Sequence, residues 1–543
     1  MTTQTKPSAP ATGLAGLKQN WPTELLSGFL VSLIALPLCL GIAGASNFPP
    51  IMGVLTAIVG GVVVAFFAGS EPTIKGPAAG LIVIVAGAVD ELGRGNMDLG
   101  WKLTLGVIVV AGVLQIGLGL LKVAKLADFF PLAAVHGMLA AIGLIIMSKQ
   151  LHLAVGIAPS ELKGKEPLEL MEMVPHSLLH MEWHVALIGF VSLVILFGMP
   201  TIKNKTVKKI PPALVVLVVS ILMGLGLHLT EIHDYDKIKP LVNPGEFRLN
   251  LNAVFDGVSG DLLPIFLKYL AMFTLIGSLE SLLTGKAIDL LDPEKRKSNL
   301  SKDLTAVGIG NVVSGLLGGL PMISEVARSS ANLTNGGRTR WANFFHGLFL
   351  LLFVVLLVPV IKLVPVAALA AMLISVGYRL ANPKEFRHMY HIGKEQLIVF
   401  VATILVTLAT DLLIGIAAGI LVKLLIELAL GLPAKYMFRP DMQLENKGDQ
   451  YRLTVRGAAV FTNYLAIKKQ LDAIPVGKKV TVDLEHARYV DHTVMDNLHN
   501  YEMDYKRSGG EFGVINIKKH RPLSAHPLAA RRKKDLEPQR AQA

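Results

Sequence analysis

The sequence predicts an all-α polytopic membrane protein carrying a small α/β unit at its C-terminal end. Three observations predict it. Of 543 residues, 52% are apolar and only 17% charged, where a soluble domain carries about 25% charged residues. The apolar residues gather into runs long enough to cross a bilayer. After about residue 433 the runs stop and a soluble texture takes over. The composition also excludes two other classes. A disordered chain would be poor in apolar residues, and a disulfide scaffold needs more than the single Cys39. Residues 1–20 are polar and do not read as a secretory signal.

Apolar segments fall at about 24–46, 50–68, 76–89, 103–121, 129–148, 184–200, 210–229, 262–285, 303–319, 322–334, 341–361, 364–380, 395–411 and 412–432. That is about fourteen. The segments at 76–89 and 322–334 are too short to span alone, because a spanning helix needs about 20 residues. The net charge of +12 does not point to nucleic acid. It sits in alternate connections: Lys122 and Lys125; Lys203, Lys205, Lys208 and Lys209; Lys295, Arg296 and Lys297; Arg338 and Arg340; Arg379, Lys384 and Arg387. The other connections are acidic or neutral, as at Asp90, Glu91, Glu161 to Glu172 and Glu231 to Asp236. The positive-inside rule then expects an inner (plasma) membrane protein with both termini cytoplasmic.

An internal repeat is visible. Leu55 to Pro72 aligns without gaps to Leu304 to Pro321, with eight of eighteen positions identical and an offset of 249. Seven segments separate the copies, an odd number, so the halves, about 24–229 and 262–432, must insert upside down relative to each other. An inverted repeat with two interrupted helices points to a secondary transporter's binding site. The expected organisation is a cytoplasmic tail at 1–21, a transporter domain at 22–432, a linker at 433–449, a soluble unit at 450–517 and a basic, disordered tail at 518–543 that lies against anionic lipid. In the soluble unit, strands are expected at Tyr451–Val455, Lys479–Leu484 and Glu511–Ile517, with helices at 463–474 and 493–508.

Charges inside apolar segments carry the chemistry, since each costs about 2.5–3.5 kcal/mol to insert. Lys75 precedes the first short segment; Glu325 and Arg328 lie on the second. Lys75 and Glu325 are near-equivalent in the repeat, and an ion pair between them is expected. Two half-helices are expected to begin near Thr73–Gly76 and Met322–Ser324, where free N–H groups and the helix dipoles favour an anion. Gly76, Ala78 and Ala79 allow close approach to the backbone, Pro77 suits a first turn, and Arg328 adds a fixed positive charge. Glu280 and Thr284, at i and i+4, put a carboxylate and a hydroxyl on one helix face. Such oxygens suit a coupling cation, Na⁺ or H⁺. His136 and His346 read as packing or interfacial groups, and Asp411 as a loop residue. No metal-ligand cluster or activated nucleophile points to an enzyme.

At these residues the chain resembles the SulP (sulfate permease) family of anion transporters. Ile34-Ala35-Leu36-Pro37-Leu38, and Gly69-Ser70 followed by Gly76-Pro77-Ala78-Ala79, look like its first and third segments. Gly318-Gly319-Leu320-Pro321, Arg328-Ser329 and Gly336-Gly337-Arg338-Thr339 resemble the region of its tenth segment. Val480 to Leu484 and Val490-Asp491-His492-Thr493 resemble a STAS domain, the family's usual C-terminal appendage. The resemblance implies a seven-plus-seven inverted-repeat fold, a core moving against a gate, a homodimer, and transport of sulfate, bicarbonate, chloride or dicarboxylates. It implies an anion site at Gly76 to Ala79 and at Ser324, Glu325, Val326, Ala327, Arg328 and Ser329, beside Lys75. It also implies a cation held by Glu280 and Thr284, with no other cofactor. Three departures stand out. Glu325 replaces a small uncharged residue, Val326 replaces a Thr of sodium-coupled members, and Asp491-His492-Thr493-Val494 departs from the Asp-Ser-Ser/Thr-Gly pattern of phosphorylated antagonists. The expected function is secondary uptake of a small oxyanion, sulfate or bicarbonate, with Na⁺ or H⁺ by alternating access. The alternatives are a dicarboxylate or nucleobase carrier, an anion exchanger, or a membrane-anchored platform whose STAS-like unit binds a cytoplasmic protein.

Overall fold

The computed structural model describes residues 12–122, 131–162, 165–204, 210–232, 235–245, 260–294 and 296–534. Lys125, Lys205, Lys208, Lys209 and Lys295 lie outside them. The described residues form two compact units, one of residues 1–124 and 142–380, the other of 125–141 and 381–543.

The first unit opens with α1 (Gly13–Ala45), α2 (Pro50–Val62), the four-residue strand β1 (Ile74–Pro77), α3 (Ile82–Gly93), α4 (Met97–Leu120) and α5 (Leu132–Ala154), whose first turns belong to the other unit. α6 (Pro167–Leu179), α7 (Trp183–Gly198), α8 (Pro212–Gly226) and the single turn α9 (Tyr235–Ile238) complete the first half. The second half runs through α10 (Leu262–Leu291), α11 (Leu300–Leu317), β2 (Met322–Glu325), α12 (Val326–Thr334), α13 (Arg340–Leu356), the turn α14 (Val358–Ile361) and α15 (Val366–Leu380). The second unit adds α16 (Pro383–Ile392), α17 (Lys394–Ala409) and α18 (Leu412–Ala429). Each of the fourteen apolar segments is taken up by one of these helices, except 341–361, which α13 and α14 share. Seven helical stretches among the described residues are long and apolar enough to cross a membrane, and this is a multi-pass membrane protein.

Helix starts follow capping chemistry. Asn96 accepts from Leu99 N at 3.1 Å, Asn299 from Lys302 N at 3.0 Å, and Asp411 from Ile414 N at 2.9 Å. Asp411, read as a loop residue, is therefore the N-cap of α18. In lipid, apolar burial cannot drive helix association, so backbones must approach closely for packing contacts. α4 and α11 do so at Gly112 and Gly308: a Cβ on either would lie 2.8 or 2.7 Å from the other's carbonyl oxygen.

The halves share an order. Both α2-β1-α3 and α11-β2-α12 run helix, strand, short helix. The two strands pair antiparallel, Ile74 with Glu325, Lys75 with Ser324, Gly76 with Ile323 and Pro77 with Met322. Opposite chain directions are what two inverted copies require. The structure corrects the expected helix starts. Residues 74–77 and 322–325 are extended, and the short helices begin only at Ile82, after a 3₁₀ turn Ala79–Leu81, and at Val326. The physical reason is that unpaired N–H and C=O groups inside a membrane must find partners, and two strands meeting there supply them to each other.

In the second unit a single turn, α19 (Lys435–Phe438), leads into the sheet. β3 (Asp441–Lys447), β4 (Gln450–Ala459), β5 (Lys479–Asp483), β6 (Ala487–Val490) and β7 (Glu511–Ile515) alternate with α20 (Tyr464–Asp472) and α21 (His492–Arg507); β8 (His520–Pro522) and β9 (Arg531–Lys533) follow. The spatial order is β7-β5-β4-β6-β9-β8, with β3 on β4. This sheet is wider than the 450–517 read from the sequence, and residues 518–534 are not a disordered tail. β3 is a polar edge strand without an apolar alternation to reveal it, and β9 is a basic strand that extends the sheet beyond β6. Residues 535–543 lie outside the described part.

A turn of histidines holds β8 to β9. Leu528 N donates to His526 Nδ1 at 3.2 Å, His492 Nδ1 lies 2.8 Å from Leu528 O, and Ser524 Oγ donates to Ile392 O at 2.6 Å. The His526 ring also meets those of His492 and His388, each at 6.1 Å between centroids. Burial pushes the His492 imidazole below the ordinary histidine value, against the pull of the Leu528 carbonyl. Burial, then the neighbouring His492 and His388, do the same to His526; Asp496 opposes this and His391 adds to it. Folded-state values below about 6.5 favour the neutral rings, so this stability is full above about pH 6.5 and is lost as pH falls through the folded values. Protonated His526 also can no longer accept from Leu528 N. Amide exchange at 524–530, corrected for intrinsic rate, is therefore expected to lose protection as pH falls below about 6.5. His526→Gln, which keeps an acceptor without titrating, should flatten that dependence; an unchanged profile would exclude His526 as its source.

Candidate functional site

The site is built on the crossing of β1 and β2. Side chains from four helices satisfy what the ladder leaves open. Asn343 Oδ1 on α13 accepts from Lys75 N at 3.2 Å, and Ser329 Oγ on α12 accepts from Ile74 N at 2.9 Å. Ser281 Oγ on α10 accepts from Ser324 N at 3.1 Å, and Asn311 on α11 accepts from Met322 N at 2.6 Å. Because side chains alternate along a strand, Lys75 and Ser324 share one face of the pair, and Gly76 and Ile323 the other.

On the first face, Lys75 Nζ lies 2.9 Å from Asp303 Oδ1 and also donates to Thr73 Oγ1. Ser324 Oγ donates to Asp303 Oδ2 at 2.8 Å. Asp303 further accepts the N–H groups of Gly69 and Ser70 at 3.0 and 3.1 Å. The expected Lys75–Glu325 pair is thus corrected. Strand register sets Glu325 opposite Ile74, one residue out of phase with Lys75, and Glu325 instead caps α12 by accepting from Arg328 N at 3.2 Å. Asp303 was missed because an acid in a helix's first turn reads as a dipole partner. The signal that finds it is that a buried Lys75 needs a carboxylate and Asp303 heads an apolar segment.

On the other face sits Arg328. It is 1% exposed, and none of its three guanidinium nitrogens has a hydrogen-bond partner. A Cβ at Gly76 would overlap this guanidinium, so glycine is what lets it reach the strand. Arg328 is the third residue of a helix, where the dipole disfavours a cation. Neither helix stability nor an ion pair accounts for it. A buried, unpartnered guanidinium in the first turn of a helix has the donors that an anion would accept from.

Glu280 on α10 is the counterpart. Both its oxygens are buried without a hydrogen-bond partner, and a Cβ at Gly80 would overlap its carboxylate. Thr284, 4% exposed, lies one turn further along α10. Thr274 and Ser278 carry buried unpartnered hydroxyls on the same helix. The cationic and anionic groups therefore touch one segment four positions apart, at Gly76 and Gly80. Pro77 ends β1, Ala78 donates its N–H to Pro321 O at 3.3 Å, and Ala79 begins the 3₁₀ turn. Val326 and Ala327 are exposed at the start of α12. His136, read as a packing or interfacial group, lies 3.4 Å from Glu385 in the second unit. Among the described residues no group of three or more His, Cys, Asp or Glu could hold a metal.

The sequence matches the profile of the sulfate permease family over residues 22–403. The chain belongs to that family. This sulfate permease family member is 27% identical over 401 residues to the putative sulfate transporter YvdB of Bacillus subtilis, covering 74% of this chain and 72% of that protein. It is 26% identical over 396 residues to the bicarbonate transporter BicA of Synechocystis, covering 73% and 67%. The transmembrane domain of a cyanobacterial BicA superposes with a TM-score of 0.64 at 26% identity, over 73% of this chain and 98% of that one. SLC26A9 shares the fold at 14% identity, with a TM-score of 0.65 over 92% and 85%. The C-terminal sheet is accordingly STAS-like.

Removing one partner of a buried ion pair costs about 3–5 kcal/mol, whereas removing both is often nearly neutral. In this sulfate permease family member, Lys75→Met and Asp303→Leu should each lower the melting temperature of the purified protein sharply. The double variant should lose less than the sum of the two, the remaining loss being the Ser324, Gly69 and Ser70 donors left without Asp303. Additive losses would show that the two do not interact.

Proposed function

We propose that this protein is a secondary transporter that takes up a small inorganic oxyanion, sulfate or bicarbonate, together with a cation. The observation that carries the reading is Arg328, a bare guanidinium buried beside the strand crossing. An anion bound there supplies the acceptors that the protein withholds, and the N-termini of the short helices add their dipoles. The names of the relatives, sulfate and bicarbonate transporters, support the substrate class.

Glu280 and Thr284 bind the coupling cation in this reading. The carboxylate and hydroxyl are oxygen ligands suited to Na⁺, and a protonated Glu280 would carry H⁺ instead. Val326, standing where sodium-coupled members have Thr, weighs against Na⁺. Both ions meet the same segment, so binding of one alters the field at the other. Anion and cation then move together as the core rocks against the rest by alternating access. In this reading the protein works as a homodimer in the inner membrane with both termini cytoplasmic, and the STAS-like unit meets cytoplasmic partners.

Uptake of labelled sulfate and bicarbonate into proteoliposomes, with and without imposed sodium or proton gradients, tests the function. Uptake of one of them, driven by one gradient, is expected; failure of every anion under every gradient contradicts it. Glu280→Gln keeps the shape and removes the charge, so gradient-driven uptake should vanish. Wild-type gradient dependence in that variant would make Glu280 structural.

A further inference from the structure

We propose that His346 is the second donor of the anion site, contacting the same oxyanion that Arg328 holds. The inference rests on the reading of Arg328 as the anion-binding group. His346 is fully buried on α13, and neither ring nitrogen has a hydrogen-bond partner. Buried polar groups are nearly always bonded, and an orphan in a membrane helix is costly. Packing alone would be served better by a leucine or phenylalanine.

The position of the ring follows from its neighbours. One turn earlier, Asn343 accepts from Lys75 N and donates to Gly60 O at 2.9 Å, which fixes this face of α13 against β1 and α2. Gly28 of α1 packs against the backbone of His346, where a Cβ would lie 2.9 Å from its nitrogen. The next strand residue after Lys75 is Gly76, on which the Arg328 guanidinium rests. Arg328 and His346 are thus two buried, unpartnered polar groups, each on an element packed against β1, Arg328 at Gly76 and α13 through Asn343 at Lys75. No carboxylate within ion-pair distance of Arg328 is found among the described residues. A guanidinium offers five N–H donors and no acceptor, and a neutral imidazole offers one donor and one acceptor. Together they present a surplus of donors in a closed, apolar setting. A small oxyanion, with several acceptor oxygens, is the species that satisfies both groups at once.

The test compares full-length wild type, His346→Phe and His346→Asn in proteoliposomes, reading KM and kcat for sulfate and bicarbonate. Phe fills the ring volume without hydrogen bonding, and Asn restores an N–H. Phe should raise KM about tenfold, the loss of one donor to a charged acceptor, with little change in kcat. Asn should recover most of it. Anion-dependent shifts in melting temperature, measured in detergent, provide a second readout and should shrink in Phe but not in Asn. Wild-type KM in the Phe variant, or equal losses in Phe and Asn, overturns the role of His346 while leaving the transport reading intact. A wild type that neither moves nor is stabilised by either anion overturns both.

Discussion

The pairing of β1 with β2 is the constraint on which the rest of the transport unit depends. Two chain segments must break their helices inside a membrane to expose helix N-termini, and each break frees N–H and C=O groups that lipid cannot satisfy. Laying the breaks side by side as antiparallel strands answers most of that need, and Asn343, Ser329, Ser281 and Asn311 answer the remainder. Asp303 then ties Lys75 of one strand to Ser324 of the other. Once the crossing is fixed, the positions of Arg328 and Glu280 follow, because each packs on a glycine of the same short segment.

The two faces of the crossing have different purposes. On the Lys75 face every charge has a partner, so that face holds the fold together. On the Gly76 face, and beside Gly80, Arg328 and Glu280 keep their polar atoms unpartnered although buried. One buried cation is thus paired completely and another, on the opposite face of the crossing, is left bare, and it is the bare one that the proposed anion site uses. The break with local rules points the same way, since a cation in the first turn of α12 works against its own helix dipole.

Most of the architecture was legible in the sequence. Apolar runs located fourteen of the helices among the described residues, missing α6 and α16, and the 249-residue offset located both interrupted segments. Arg328, Glu280 and the Gly76–Ala79 stretch stood out as candidates because charge and helix breaking are rare in apolar segments. What was not legible depended on register. Repeat equivalence suggested a Lys75–Glu325 pair, but a strand alternates its side chains, and one residue of phase sent Lys75 to Asp303. The strands at the break were hidden because four residues show no period, and Gly-Pro reads as a helix start. His346 looked like a packing group because sequence does not show that both its ring nitrogens are buried without partners. In the C-terminal unit, β3 and β9 are too polar to announce themselves as strands.

The central claim is that the unpartnered Arg328 is where the transported anion binds. Calorimetric binding of sulfate and bicarbonate to the purified protein, wild type against Arg328→Met, tests it most directly. The account predicts binding of at least one anion by the wild type and a loss of about ten- to a hundredfold in the variant, the worth of hydrogen bonds to a charged group. Undiminished affinity in a folded Arg328→Met protein would contradict it.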